Sequence, residues 1–303
     1  MLPHDLLSIG ELAEQAGVSV KAVRFYSDRG LLPEADRSSG GHRRYTHQTL
    51  ERLRLIRSLR GLDISLPDIT RLLDTDTSEE ESDNRLQNVV ARRLDTLSTE
   101  LLGLRWREAA LRLLHTSPPG ERAERLRLLG TLSTPPTTDT LVRYWHRLLP
   151  TRLPTRLTTS IVDAAVPPPP EQPSPEQVLA FAQLHQLTKA VNDTCAAQHR
   201  PSVPRPELLY DGLREAYELT VPALTAGHKP TTGEALDCFV TAHARSHQQR
   251  DTPAFRRKLR HTLTTEEHPT MRRYWALASQ LTPQPTLGAA HTWLTTALHS
   301  NTQ

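Results

Sequence analysis

Between Arg37 and Arg60 the sequence sets seven arginines against one acid, Glu51. Cations at that density are the electrostatic footprint of a phosphate-binding surface. Just upstream, "VRFYSDRGLL" mixes Arg24 and Arg29 with the aromatics Phe25 and Tyr26. The planar guanidinium can engage phosphate oxygens or a guanine edge through two hydrogen bonds at once, which an ammonium cannot. Lysine is confined to Lys21, Lys189, Lys229 and Lys258. A GC-rich coding sequence also produces an arginine excess, so the clustering carries more weight than the count.

Such side chains need rigid elements. Ser8 and Glu11 form a capping-box pair, and Ile9, Leu12, Ala13 and Ala16 then share one helical face. Gly17 ends that helix, Ser19 caps a second over Val20–Arg29, and Gly30 and Pro33 stop it. Two short helices joined by "GVS" predict a helix-turn-helix. The Gly40–Gly41 pair allows positive φ and predicts a short hairpin, a small β-wing. Thr46 caps a third helix carrying Leu50, Leu53, Ile56 and Leu59 as far as Gly61. Ser65–Asp68 opens a fourth to about Leu73.

The acidic stretch from Thr75 to Asn84 reads as a hinge, and a long helix runs from Leu86 to Leu114. There Val90, Leu94, Leu97, Leu101, Leu104 and Leu111 repeat at heptad a/d spacing, interrupted by Glu108. A seam this narrow predicts a dimerising coiled coil rather than a helix of a globular bundle. Beyond "HTSPPG" the pattern is helix after helix: 121–132, 139–149, 152–165, 176–199, 206–226, 232–248, 253–264, 270–281 and 286–298. The proline run from Pro167 to Pro173 reads as an extended, semi-rigid connector. The expected fold is mainly α: a DNA-binding domain over 1–76, a hinge and coiled-coil helix over 77–117, and an all-helical domain over 118–303.

With 303 residues the chain accommodates about two domains, and a net charge of +3 says little about partners. Cys195 and Cys238 form no C-x-x-C pair, so a reducing cytoplasm is the expected home. The N-terminus lacks the pattern of a signal peptide, and no apolar run approaches a membrane span.

A helix for the major groove, a basic wing for the flanking backbone and a dimerising helix together imply a protein that reads a DNA palindrome. The stretches "SIGELAEQAGVSVKAVRFYSDRGLL" and "GGHRRY", followed by the long helix, resemble the MerR transcription regulators. The resemblance covers Ser8 to Leu114. Phe25 stands where a tyrosine is usual, Ser27 where a glutamate is usual, and His42 where the wing commonly has a tyrosine. The family implies a bacterial, cytoplasmic homodimer joined by an antiparallel coiled coil. Such a dimer binds double-stranded promoter DNA between the two polymerase recognition elements, beside the RNA polymerase holoenzyme. A signal received by the C-terminal domain then bends and undertwists an overlong spacer, a switch by indirect readout. Arg24 and Tyr26 match the family's recognition-helix contacts, and Arg43 and Tyr45 match its wing. Lys21 and Arg44 join them on charge and position, and Ser19 completes the DNA-binding set. Val23 and Phe25 are expected in the core.

Metal-sensing relatives carry cysteines at the ends of the dimerisation helix, and this chain has none from Leu86 to Gly120. His243 and His247 have the i, i+4 spacing of a metal pair without the glutamate of H-E-x-x-H or an obvious third ligand. No metal or cofactor is expected, and Cys195 and Cys238 read as apolar thiols. Tyr144, Trp145, Phe181, Tyr210, Tyr217, Phe239, Tyr274, Trp275 and Trp293 could line a site for a small organic effector or simply fill a core. An architectural, excisionase-like DNA-binding protein is the alternative function, disfavoured by the long helix and the many helices beyond it. No P-loop, G-x-S-x-G or dinucleotide motif supports an enzyme.

Overall fold

The computed structural model describes residues 6–73, 79–190, 203–265 and 268–300. It resolves into two compact units, Met1–Thr99 and Glu100–Gln303. Cys195 lies outside the described residues.

The first unit begins with β1 (Leu7–Ser8), α1 (Ile9–Ala16) and α2 (Val20–Asp28). It continues with β2 (Asp36–Arg37), β3 (Arg43–Tyr45), α3 (His47–Gly61) and α4 (Leu66–Leu72). The capping box is formed: Ser8 N–H donates to the Glu11 carboxylate at 2.7 Å, and Glu11 N–H donates to Ser8 Oγ at 3.3 Å. Hydrogen bonds to its carboxylate from the Ser8 backbone N–H and then the Ser8 side chain hold the Glu11 carboxyl below its ordinary range. Gly17 closes α1 in the left-handed region at φ 63°. A Cβ there would lie 2.7 Å from the Arg57 guanidinium, and Arg57 donates to the Ala16 carbonyl at 2.9 Å. The left-handed backbone at this turn therefore favours glycine, and a larger side chain would also displace the Arg57 guanidinium.

The sheet has the order β1-β3-β2 with antiparallel pairing. The wing hairpin is present, and β1 is an extra edge strand that two residues are too short to announce by alternation. Of the glycine pair, Gly41 alone takes positive φ, at 76°. Leu12, Val23, Leu32, Tyr45, Leu53, Ile56 and Ile69 form the core of this unit, each almost wholly buried.

α5 (Glu79–Thr116) is 38 residues long and begins earlier than the sequence suggests. Glu79 to Asn84 are helical, not part of a hinge. Acids suit the first turns of a helix, where the dipole is positive. Arg93 donates to the Asp63 carboxylate at 3.2 Å and Arg92 to Asp68 at 3.1 Å.

The second unit is all helical: α6 (Arg122–Leu129), α7 (Asp139–Leu148), α8 (Thr155–Ala165), α9 (Pro175–Ala190) and α10 (Pro206–Thr225). α11 (Glu234–Ser246), α12 (Pro253–Thr265), α13 (Pro269–Ala278) and α14 (Leu287–Ser300) complete it. It holds two apolar clusters. One centres on Trp106, Trp145, Phe181 and Tyr274, the other on Leu236, Phe239, Trp293 and Leu294. The Trp145 indole N–H donates to Tyr274 Oη at 2.8 Å, and that hydroxyl donates to the Ala165 carbonyl at 2.9 Å. The proline run is docked rather than free: the Trp106 indole N–H donates to the Pro170 carbonyl at 3.1 Å.

The aromatics of this unit thus fill cores. A cleft of about 160 Å³ beside Trp275, Val166 and Pro167 is small, whereas sites for drug-sized ligands measure roughly 300–1,000 Å³. His243 and His247 do not act as a pair: His243 is buried, while His247 is exposed at the C-cap of α11. Among the described residues no group of three His, Cys, Asp or Glu side chains could hold a metal ion.

His243 packs edge-on against Phe239 at 4.8 Å, and its Nε2 has no hydrogen-bond partner. Burial, reinforced by the nearby His291 and His247, pulls its pKa down from 6.5 to about 3. The folded state therefore keeps His243 neutral while the unfolded chain protonates it. Its stabilising contribution is complete above pH 6.5 and declines as pH falls toward 3. In urea titrations, His243→Leu is expected to reduce the loss of stability between pH 7 and pH 5 by about 2 kcal/mol. An unaltered pH dependence would show that His243 is not held neutral.

Candidate nucleic-acid interface

α2 presents one outward face. Val20, Lys21, Arg24, Phe25, Asp28 and Arg29 are exposed there, while Val23 is fully buried. The 3.6-residue period sets the two faces: positions i, i+1, i+4, i+5, i+8 and i+9 point together. Ser19 caps the helix by accepting from the Ala22 N–H at 3.2 Å, and its own O–H remains able to donate. Helix N-termini favour phosphate through their unpaired N–H groups and dipole. Lys21 and Arg24 make no ion pair among the described residues, so their charge stays on the surface.

Phe25 belongs to this face rather than to the core: it is 43% exposed, and the Arg29 guanidinium sits 4.3 Å from its ring centroid. The aromatic character of the position suggested burial, but its helical register overrides that. Tyr26 is half-buried, packed against the core and edge-on to Phe25 at 5.4 Å.

The wing divides its residues by strand alternation. Arg43 and Tyr45 turn inward and Arg44 lies between them on the opposite side. Tyr45 is fully buried, and its hydroxyl shares a hydrogen bond with Ser27 Oγ at 2.9 Å. Ser27 in turn donates to the Leu32 carbonyl at 3.3 Å. A ring with no exposed surface cannot touch DNA, which corrects the expectation for Tyr45: it anchors the wing to α2.

Arg43 is likewise committed within the protein. Its Nη1 lies 2.7 Å from Asp28 at the end of α2, and its Nε 2.7 Å from Glu34. The bond to Asp28 raises its pKa further. Arg37 pairs with the same Glu34 at 3.2 Å. Arg44 is half-buried, paired in register with Ser8 on one side and Asp36 on the other, and makes no ion pair among the described residues.

Of the arginines in α3, Arg52 is half-buried and Arg54, Arg57 and Arg60 are exposed, yet each bonds a backbone carbonyl. Arg52 donates to the carbonyls of Leu31 and Leu73, both at 2.8 Å, and Arg60 to that of Ile64 at 2.8 Å. With Arg57 on Ala16, these guanidiniums satisfy carbonyls at helix C-termini (Ala16, Leu73) and in the segments just beyond them (Leu31, Ile64). A bond to a neutral carbonyl orients a guanidinium without cancelling its charge, so these arginines keep the surface positive while fixing the helix ends.

A helix-turn-helix whose second helix shows an unpaired basic face, with a β-hairpin pinned beside it, is a winged-helix nucleic-acid-binding module. Comparison with known proteins agrees. Residues 7–76 match the family model of the MerR HTH family regulatory protein. The chain is 34% identical over 109 residues to the HTH-type transcriptional regulator ZntR homolog of Haemophilus influenzae, covering 35% of this chain and 81% of that protein. It is 38% identical over 107 residues to the mercuric resistance operon regulatory protein of Serratia marcescens, covering 32% of this chain and 74% of the relative. A solved structure of HiNmlR, a MerR family regulator lacking the sensor domain and bound to promoter DNA, aligns at 28% identity over 36% of this chain and 90% of that one, with a TM-score of 0.24. The chain belongs to the MerR family of helix-turn-helix regulatory proteins, and its function is DNA-binding transcription regulation.

The burial pattern separates residues that can touch DNA from residues that support them. Arg24→Ala is expected to weaken binding to duplex DNA and lower the slope of log K against log salt by about 0.9. Arg43→Ala, which removes a cation already facing two carboxylates, is expected to leave the slope nearly unchanged. An equal loss of slope in both variants would place Arg43 on a phosphate. Tyr45→Phe is expected to cost about 1 kcal/mol of stability through the lost Ser27 bond, with no change in salt slope. Weaker DNA binding at unchanged stability would return the Tyr45 hydroxyl to the interface.

Proposed function

We propose that the chain acts as a homodimeric, MerR-type promoter regulator whose two winged modules bind the halves of a palindrome. In this reading Ser19, Lys21, Arg24, Tyr26 and Arg44 meet the DNA, with Phe25 and Arg29 added from the exposed face of α2. Residues 1–76 bind DNA, 77–117 dimerise and 118–303 receive a signal, for which a small organic molecule is the proposed class. The dimer alters transcription by distorting the promoter DNA under RNA polymerase. The proposed setting is the cytoplasm, and no helix of the described residues is long and apolar enough to cross a membrane.

The observation that supports this reading most strongly is the stripe on α5. Val90, Leu94, Leu97, Leu101, Leu104 and Leu111 are exposed in the single chain, at 37%, 59%, 42%, 46%, 57% and 67%. The same helix buries Val89, Trp106, Ala109 and Leu113, so its seam points away from the cores its own chain provides. Burying a leucine or valine from exposure is worth roughly 1.5–3 kcal/mol, and a heptad seam is suited to pairing with a second copy of itself. One winged module makes few phosphate contacts, and a dimer doubles them at fixed spacing.

Light scattering is expected to give a dimer for the wild type and a monomer for Leu97→Asp/Leu101→Asp. The same double variant should lose at least about tenfold in affinity for promoter DNA while its helical circular dichroism is kept. A variant that stays dimeric would contradict the α5 seam.

A further inference from the structure

The second unit carries its own concentration of positive charge. From Arg245 to Leu263 the sequence contains Arg245, Arg250, Arg256, Arg257, Lys258 and Arg260 against one acid, Asp251. Arg256 is neutralised: it lies 2.7 Å from Asp237 and 2.6 Å from Asp251. That arrangement uses up Asp251 and ties the start of α12 to α11. None of the other five cations makes an ion pair among the described residues. Arg245, Arg250, Arg257 and Lys258 are exposed and Arg260 half-buried. The next acids in sequence, Glu266 and Glu267, lie outside the described residues.

Helical register gathers part of this charge. α12 buries Phe255 and Leu259 against α11 and α14, which turns Arg257, Arg260, His261 and Thr264 toward solvent on the opposite side. Thr264 shares a hydrogen bond with His299 of α14 at 3.0 Å. The outer face of α12 is therefore basic and polar and carries no carboxylate. Elsewhere many exposed arginines sit beside an acid, as Arg71, Arg112 and Arg214 do. Unpaired like charges so close together repel one another, and a polyanion relieves that repulsion while releasing its own counterions.

We infer that the outer face of α12, with Arg257 at its centre and Lys258 and Arg260 flanking it, is a second contact for the phosphate backbone of duplex DNA. Arginine predominates, and its fork matches phosphate oxygens two at a time. No base-reading element accompanies the face, so the contact is independent of sequence and adds affinity rather than specificity. The inference rests on the reading of the chain as a DNA binder. It assigns to the second unit a role on DNA besides any role in receiving a signal.

The test uses the full chain and a duplex of arbitrary sequence about 60 base pairs long, with fluorescence anisotropy read across a salt series. Arg257→Gln/Lys258→Gln/Arg260→Gln is compared with wild type, and again in a Lys21→Ala/Arg24→Ala background. The triple substitution is expected to lower the salt slope by about 2–3 in both backgrounds, at about 0.9 for each phosphate that is no longer neutralised. Arg257→Gln alone, at an exposed residue with no ion pair to break, is expected to lower it by about one and provides the readout if the triple variant is unstable. Unchanged slope and affinity in both backgrounds would overturn the inference, as they would if the face served an acidic protein. The Lys21→Ala/Arg24→Ala arm separately reports on α2, so a defect in the recognition helix is not mistaken for a defect in α12.

Discussion

The winged module of the first unit depends on a buried tyrosine. Tyr45 fills the core of the first unit and joins Ser27 through its hydroxyl, so the last wing strand and α2 are fastened at one point. The wing strands are only two and three residues long, so their pairing with each other and with β1 adds few hydrogen bonds, and this anchor supplements it. Arg43 adds a second fastening, from the wing to Asp28 at the end of α2 and to Glu34 before the wing. The inward side of β3 thus holds the wing in place, and the outward residues of α2 are free to meet a ligand.

A related economy governs the arginines. The guanidiniums of Arg52, Arg57 and Arg60 end on backbone carbonyls, and those of Arg37 and Arg43 on carboxylates. Lys21 and Arg24 on α2 and Arg44 on β3 make no ion pair among the described residues, and there position matters more than total charge. Electrostatic attraction brings the partners together, and the placement of a few side chains decides which DNA is held.

The broad architecture was legible because helices announce themselves by period and punctuation. Ser8, Ser19, Thr46 and Ser65 each cap the helix that their spacing marks, and each accepts from a backbone N–H three residues on. The long helix α5 was likewise visible from its repeating apolar spacing. Orientation over short distances was not. A three-residue strand contains no alternation from which to tell whether Arg43 and Tyr45 or Arg44 faces the core. Phe25 looked like core by residue type, yet register places it outside beneath Arg29. The acids from Glu79 to Asn84 resembled a hinge because net charge favours disorder, whereas at a helix start the same charge is stabilising. In the second unit, aromatic content alone does not distinguish a ligand site from a packed core. Trp145 and Tyr274 satisfy each other and the Ala165 carbonyl, a pairing that only the folded chain reveals.

The regulator reading stands or falls on whether the outward face of α2 reads a two-fold site. Hydroxyl-radical footprinting on the DNA upstream of the chain's own gene addresses this, with wild type and Lys21→Ala/Arg24→Ala side by side at moderate salt. Two protected half-sites related by a dyad, about one helical turn or a multiple apart, and abolished in the variant, are the expected result. Protection that persists unchanged in the variant, or a single patch without symmetry, would contradict the assignment of α2 as the recognition helix of a dimer.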